Sequence, residues 1–265
     1  SLSPMLFAIY ISDLGESLLS QNSGFLIGHV NINSLFFADD IILLTKSRIL
    51  MDKLLALLVR EGHRIDMTIS NKKSQVISHD NEPHIILQDE EDNNILLKAV
   101  KCYKYLGLEV YKTVFKTATE KQNLCIAKAK KYKSMCMLVS KTSVDKTIVA
   151  STVWTCVAMP SILYATEFVA FSDATIKQIN TIQSSLAKSV LGLPQNAPNF
   201  VAQTELGWPH FGATLWTHQL NAFNKLIHKP KGSWASLALM DHLSNTWRSH
   251  YIDYITKIKN DTQLY

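Results

Sequence analysis

The chain has 265 residues, of which 47% are hydrophobic and 18% are charged, a composition typical of globular proteins that bury a substantial core. Its 27 lysines and arginines outnumber its 22 acidic residues, and the resulting net charge of +5 favours an anionic partner such as nucleic acid. The four cysteines have neither zinc-knuckle spacing nor the density of a disulfide framework, so we expect reduced and mostly buried thiols.

Two apolar stretches bear on localisation. No basic segment precedes Met5–Ile11, so the sequence does not predict a signal peptide. The stretch Thr147–Thr166 has no charged residue, but Pro160 and several hydroxyl residues favour a buried helix over a membrane span. We therefore expect an intracellular protein, cytoplasmic, nuclear or both, without membrane contact. Because the chain starts at Ser1 and runs directly into a helical pattern, we expect a piece of a longer protein.

The first helix is predicted from a capping pattern and a helical repeat. Ser3 is suited to the N-cap and Pro4 to the first helical position. Apolar residues then recur at helical spacing and predict one buried face, made of Leu6, Phe7, Tyr10, Ile11 and Leu14.

Strand patterns follow up to about residue 112. We predict a strand over Gly24–Val30 and a hairpin over Leu35–Leu44 with Asp39 and Asp40 at its turn. Further predictions are a helix over Leu50–Leu58, a loop and strand over Arg64–Ile77, a solvated acidic loop over Asp80–Asn94, and a strand or hairpin over Val100–Tyr111.

From Thr117 onward the pattern becomes helical, with breaks predicted near residues 141–143, at Pro160, at 193–198 and at 208–209. The sequence therefore predicts an α+β fold in which residues 1–112 mix helices with antiparallel strands. Residues 113–228 form a helical domain and residues 229–265 a helical tail.

The stretch LFFADDIILL places two acids between apolar runs. A structural explanation exists, because Asp tolerates turns and hydrogen-bonds its own backbone. However, alternation along a strand would direct one of the two carboxylates toward a protein face. Burying an unpaired carboxylate is costly, so a cation is expected beside it, and a divalent metal is the natural candidate.

Four segments in this order carry a family resemblance: SLSPMLFAIYISDL, FADD, ISNKKSQVI and YKYLGLEV. Together they resemble the second half of the palm of a reverse transcriptase of the non-LTR retrotransposon type. The later segments PSILYATE, LGLP and TELG are similar to the region after the palm in such elements. The resemblance covers roughly residues 1–228, and the joint order is more specific than any one motif. It implies a partial palm followed by an all-α thumb.

The resemblance implies primer extension by two-metal nucleotidyl transfer with Mg²⁺ or Mn²⁺, acting on an RNA template, a DNA primer and dNTPs. It makes Asp39 a metal ligand, Asp40 a weaker ligand or a structural support, and Lys73 a residue that reaches the triphosphate. The alternative for Lys73 is an ordinary solvated surface lysine. The remaining implied site residues are Ser3, Pro4, Phe37 and Ala38 near the template and nucleotide, and Tyr105, Leu106 and Gly107 in a hairpin that grips the primer.

Two departures from the family pattern matter. The family has another metal-binding Asp on a strand before the first helix, and a Gln-Gly pair, and this chain begins after both. Ser70 also stands where Asn is common. We therefore expect only part of an active site, and little or no activity from this chain alone.

Basic residues cluster on the first helix of the helical domain, with Lys121 followed by Lys128, Lys130, Lys131 and Lys133. Such a cluster is often only a solvated face, but in a thumb it would follow the phosphate backbone of the template-primer duplex. The five tryptophans are expected in the core rather than as base-stacking platforms. The histidines show no metal-ligand spacing.

Two other functions remain open at this stage. One is a non-catalytic, nucleic-acid-binding remnant of a retroelement, and upstream sequence bearing a buried Asp would argue against it. The other is a helical interaction module with an incidental acidic hairpin.

Overall fold

The computed structural model describes residues 3–27, 30–70, 72–78, 84–88, 94–140, 145–167, 169–230 and 233. Contacts divide the chain into two compact units, Ser1–Tyr103 with Ile227–Tyr265, and Lys104–Leu226. Short strands accompany helices in the first unit and helices dominate the second, which confirms the predicted α+β fold. The domain boundaries proposed above stay a prediction, and most of the predicted helical tail lies outside the described residues.

The described elements of the first unit alternate between helices and short strands. They are α1 Ser3–Tyr10, α2 Ser12–Leu19, β1 Phe25–Ile27, β2 Val30–Ile32, β3 Ser34–Phe37, β4 Asp40–Leu43, α3 Arg48–Arg64, β5 Gln75–Val76, β6 His84–Gln88 and β7 Asn94–Ala99. The pairs β1–β2 and β3–β4 are antiparallel two-stranded sheets. The third sheet has the order β5-β7-β6, with β5 parallel and β6 antiparallel to β7.

The buried face predicted for the first helix is only partly correct. Ile11 and Leu14 are buried and Phe7 is half-buried, but Leu6 is 55% exposed and Tyr10 is 49% exposed. The helix also begins at Ser3 itself and is interrupted at Ile11. Since α1 is apolar around most of its circumference, its sequence does not define which side faces the core.

Two predictions for the first unit, one of a strand and one of a loop, need correction. The single strand expected over Gly24–Val30 is instead the antiparallel pair β1–β2, in which Ile27 pairs with Val30. A Cβ at Gly24 would lie 2.1 Å from the Ile32 carbonyl oxygen, so the two segments meet backbone to backbone. The loop expected over Asp80–Asn94 contains β6, whose apolar run pairs with β7; the acidic residues that suggested a loop lie outside the described part.

The core of the first unit forms between α2, α3 and the β3–β4 hairpin. Leu14 and Leu18 of α2 pack with Leu54 and Leu58 of α3, and Phe36, Ile41 and Leu43 of the hairpin cover them. The helix α3 extends beyond the predicted Leu50–Leu58 at both ends, and the Ser47 side chain caps its N-terminus by accepting a bond from the Leu50 N–H. The hairpin is therefore fixed by its apolar side.

The remaining described elements are β8 Cys102–Tyr105, β9 Leu108–Tyr111, α4 Val114–Ser140, α5 Lys146–Val153, a π-helical turn Trp154–Ala158, α6 Met159–Leu163, α7 Asp173–Leu191, α8 Asn199–Glu205 and α9 Phe211–Ile227. The breaks predicted at 193–198 and 208–209 are confirmed. The break predicted at 141–143 lies outside the described residues.

The predicted break at Pro160 is wrong, because the helix continues to Leu163. Proline removes one hydrogen-bond donor and crowds the preceding turn. Here the Met159 N–H donates to the Trp154 carbonyl, five residues back, so a wider π-helical turn directly precedes the proline. The run from Lys146 to Leu163 is long and apolar enough to cross a membrane by length and composition, and 33% of it is buried.

The core of the helical unit contains two of the tryptophans expected there, Trp154 and Trp208, whereas Trp216 is half-buried. Trp154 and Trp208 stack with ring centroids 5.7 Å apart, and Phe211 is fully buried. All four cysteines are free thiols, but only Cys125 and Cys136 are buried, so the prediction of mostly buried thiols holds for these two. Trp234 and Trp247 lie outside the described residues.

Candidate functional site

The β3–β4 hairpin is confirmed, but its two-residue turn is Ala38–Asp39, and Asp40, predicted to lie in the turn, begins β4. The register pairs Phe36 with Ile41 and Phe37 with Asp40. Successive side chains alternate between the faces of a strand. Phe36 and Ile41 contribute to the core on α2 and α3, so Phe37 and Asp40 belong to the opposite face. Register alone therefore places Asp40 away from the helices.

The hairpin tip is a tight turn with an uncommon backbone conformation. Ala38 has φ 52°, the left-handed region that non-glycine residues rarely occupy. A positive φ at the first central residue is typical of two-residue hairpin turns that match the strand twist. Such conformations cost about 1–3 kcal/mol and cluster at functional sites. The turn therefore presents Asp39 on a well-defined but strained backbone.

Both acids are exposed, as are Phe37 and Ala38. The expectation that one carboxylate would face the protein is therefore wrong within the described residues. The reason is that α2 and α3 pack on the other face of the hairpin, the face of Phe36 and Ile41, and leave the face of Asp40 exposed.

The two carboxylates have no ion-pair partner within the described part of the chain, and no group of three or more potential metal ligands occurs there. Two adjacent carboxylates without a neutralising cation repel each other. Carboxylate oxygens are the ligands that Mg²⁺ prefers, and Mg²⁺ is commonly bound by one or two carboxylates together with substrate phosphates. The donor set therefore fits a partial magnesium or manganese site.

Lys73 lies in the turn before β5, where its N–H donates to the Ser70 carbonyl at 3.1 Å. Its side chain is exposed, and the structure shows no hydrogen bond or ion pair between it and Asp39 or Asp40. Pro4 is exposed in the first turn of α1, and the Ser3 side chain is not among those described. These residues share the first unit with the acids but are not joined to them by a described bond.

The predicted primer-gripping residues form the turn of the β8–β9 hairpin. Leu106 has φ 47° and Gly107 has φ 81°, the pair of positive values that defines a type I′ turn. Tyr105 ends β8, and the connection has only two residues. The Tyr111 N–H donates to the Thr117 hydroxyl at 3.0 Å, which ties β9 to the first turn of α4.

The lysines of α4 occupy different environments, which sequence spacing did not reveal. Lys130 and Lys131 are exposed. Lys133 is half-buried and donates to the Ser185 hydroxyl at 2.7 Å. Lys128 is also half-buried, and Lys121 is only 3% exposed. The cluster is therefore not one uniform solvated face.

Sequence reasoning missed that α4 caps the end of α6. Helix C-termini leave carbonyl groups without intrahelical partners. Lys128 donates to the Ser161 carbonyl at 2.6 Å, the Cys125 thiol to the Ile162 carbonyl at 3.3 Å, and Lys121 to the Tyr164 carbonyl. Burial lowers the pKa of Lys121 and raises the pKa of Cys125. The available signal was the spacing of 121, 125 and 128, which puts three donors on one helix face.

Comparison with known families links the first part of the chain to a class of enzymes. Residues 1–110 match the model of the family described as reverse transcriptase (RNA-dependent DNA polymerase). The match includes the Asp39–Asp40 hairpin and the turn at Leu106–Gly107, and it ends before α4. A comparison with curated proteins found no match. The resemblance to reverse transcriptases is therefore supported for residues 1–110, whereas the non-LTR type and the palm and thumb positions stay predictions.

Proposed function

We propose that this chain is part of an RNA-directed DNA polymerase of the non-LTR retrotransposon type, in which residues 1–112 are the later palm and residues 113–228 the helical thumb and connection region. The observation that carries the proposal is the exposed Asp39–Asp40 pair on a strained hairpin turn, within the segment that matches the reverse transcriptase family. A turn of this kind displays two carboxylates to a ligand while its apolar side stays anchored on α2 and α3.

In this proposal Asp39 is the principal ligand of Mg²⁺ or Mn²⁺ and Asp40 a weaker one. When bound, the metal ions would lower the pKa of the primer 3′-hydroxyl and neutralise charge on the attacked phosphate. Phe37, Ala38, Ser3 and Pro4 would border the template and the incoming dNTP. Lys73 would neutralise charge on the triphosphate or donate a proton to the leaving pyrophosphate.

The helical unit is proposed to bind the RNA template and the DNA primer through their phosphates. Lys130 and Lys131 are exposed, so they are free to exchange water for phosphate oxygens. Lys128 and Lys133 each use one donor internally, and an ammonium group has three. They would contribute only through the donors that remain. Synthesis from RNA would take place inside the cell, in the cytoplasm, the nucleus or both.

A second candidate, a non-catalytic nucleic-acid-binding remnant, is favoured by a specific observation. In the described part of the chain, the two hairpin acids are not joined by a third metal ligand. Two carboxylates on one turn do not fix two metals in the geometry that in-line attack requires. We therefore expect little or no primer extension from residues 1–265 alone, even with Mg²⁺.

The decisive experiment compares this chain with a polypeptide in which an upstream palm strand bearing an Asp precedes Ser1. Primer extension on an RNA template should appear in the extended polypeptide, and Asp39→Asn should abolish it while binding to template-primer stays within about two-fold. Glu16→Gln is the matched control, because Glu16 is an exposed carboxylate on α2 in the same unit. An inactive extended polypeptide would favour the remnant, and robust Asp39-dependent synthesis by residues 1–265 alone would show that the site is complete without an upstream acid.

A further inference from the structure

The segment PSILYATE, residues 160–167, lies in the proposed thumb, but no contact with metal or nucleic acid is assigned to it above. Its Tyr164 directly follows the last residue of α6 and has φ −55° and ψ 127° in place of helical angles. The next residue, Ala165, has φ 55°. The chain thus turns sharply at Tyr164, and its 48% exposed side chain leaves the helix axis.

Tyr164 contacts the turn of the β8–β9 hairpin in two ways. Its hydroxyl donates a hydrogen bond to the Leu106 carbonyl, 58 residues away in sequence. Its ring lies against Gly107, where a Cβ would be only 3.3 Å from Tyr164 Cε1. Position 107 therefore favours glycine for two reasons, the positive φ of its backbone and the proximity of the Tyr164 ring.

Lys121 also holds Tyr164 in place. Its ammonium group donates to the Tyr164 carbonyl and lies 5.7 Å from the centroid of the Tyr164 ring, within the range of a cation–π interaction. Lys121 is only 3% exposed, so water does not readily replace it. The backbone and the ring of Tyr164 are therefore both held by α4.

The hairpin and the helices enclose a groove of about 460 Å³ beside Tyr164. Lys104, Gly107 and Glu109 line it from the hairpin, and Lys128 and Tyr164 line it from the helices. The width of this groove depends on where the hairpin turn sits. Among the described hydrogen bonds, the one from the Tyr164 hydroxyl joins the two walls at the turn.

We propose that Tyr164 is a positioning residue that holds the turn of the β8–β9 hairpin at a fixed place on the helical unit, with Lys121 as its support. The purpose of this contact rests on the proposed function, in which Tyr105, Leu106 and Gly107 contact the primer. A rigidly held turn presents these residues in one orientation and avoids the loss of conformational entropy on binding.

The positioning role is tested by amide hydrogen exchange of the full chain without nucleic acid, with NMR as the detection method. Tyr164→Phe removes the hydroxyl and keeps the ring, so the amides of residues 105–108 should exchange about five-fold faster, the effect of losing one net hydrogen bond. Amides of α7 should be unchanged. Tyr132→Phe is the control, because Tyr132 is half-buried on α4 in the same unit. Replacing Tyr164 with 4-aminophenylalanine, which keeps a donor on the ring, should restore slow exchange.

Unchanged exchange at residues 105–108 in Tyr164→Phe would overturn the proposal, and so would an equal increase throughout α7, which would indicate general destabilisation. Binding to a duplex with a recessed 3′ end then tests the functional purpose separately. Tyr164→Phe should weaken that binding about five-fold relative to blunt duplex, with an unchanged salt dependence because no charge is lost. Faster exchange with equal affinity for both duplexes would leave the positioning role standing and refute primer contact by the hairpin.

Discussion

Replacing Lys121 with Met tests the capping of α6 by α4. Methionine keeps a long unbranched side chain and removes the ammonium group. The Tyr164 carbonyl then loses its hydrogen-bond donor. Because Lys121 is only 3% exposed, water does not readily replace the ammonium group, and an unsatisfied buried acceptor costs about 1–3 kcal/mol. Removing the desolvated charge offsets part of this cost. We expect a net loss of about 1–2 kcal/mol in the free energy of unfolding at neutral pH.

The pH dependence of this loss has a definite sign. Burial lowers the pKa of Lys121 from its ordinary value of 10.5. Below the lowered pKa, the amine is charged in both the native and the unfolded chain, and the cost of burying the charge is fully present. Between the lowered pKa and 10.5, the unfolded chain binds more protons than the native chain, so the free energy of unfolding rises with pH. The difference between wild type and Lys121→Met should therefore grow as the pH approaches 10.5.

The assay is urea unfolding of the wild type and variants at several pH values between neutrality and 10, monitored by far-UV circular dichroism. Lys130→Met is the control, because Lys130 is exposed on the same helix and should change stability by less than about 0.5 kcal/mol. Lys128→Met should give an intermediate loss, since its half-buried partner carbonyl is accessible to water. Equal effects of Lys121→Met and Lys130→Met, or a difference that shrinks as the pH rises, would refute the capping argument.

Three further predictions concern other parts of the chain. Gly24→Ala should cost more than about 2 kcal/mol in urea unfolding, because its Cβ would meet a backbone oxygen at 2.1 Å; full stability would contradict the β1–β2 packing. Replacing Lys130 and Lys131 with Ala should reduce the slope of log affinity against log salt by about two for template-primer, and an unchanged slope would assign both to a solvated face. Alkylation of the native protein at pH 8 should label the exposed Cys156 and leave Cys136, whose pKa burial raises to about 11, unlabelled; rapid labelling of both would contradict the described core.

The sequence predicted the elements whose signals are local. The β3–β4 hairpin follows from two acids between apolar runs, and the β8–β9 hairpin from a glycine between two strand patterns. The helices after residue 113 follow from their periodicity. The family resemblance agreed with the comparison over residues 1–110 because it rested on several motifs in a fixed order.

The parts that sequence did not predict depend on long-range packing. Lysine is seldom fully buried, and nothing near Lys121 in sequence indicates that a carbonyl 43 residues away accepts its hydrogen bond. The exposure of Asp40 depends on which face of the hairpin α2 and α3 cover, and alternation within the hairpin does not specify that face. The chain direction at Pro160 depends on a π-helical turn that has no distinctive composition.

The π-helical turn Trp154–Ala158 also fixes the rotational phase between the two halves of its helix. An α-helix advances about 100° per residue, so Ala150 and Ile162 would point about 120° apart in an unbroken helix. Both are fully buried. When one residue between them is left out of the rotation, their directions lie within about 20° of each other. The widened turn thus absorbs one residue. Deleting the exposed Thr155 would therefore produce a regular α-helix that keeps both Ala150 and Ile162 on the buried face.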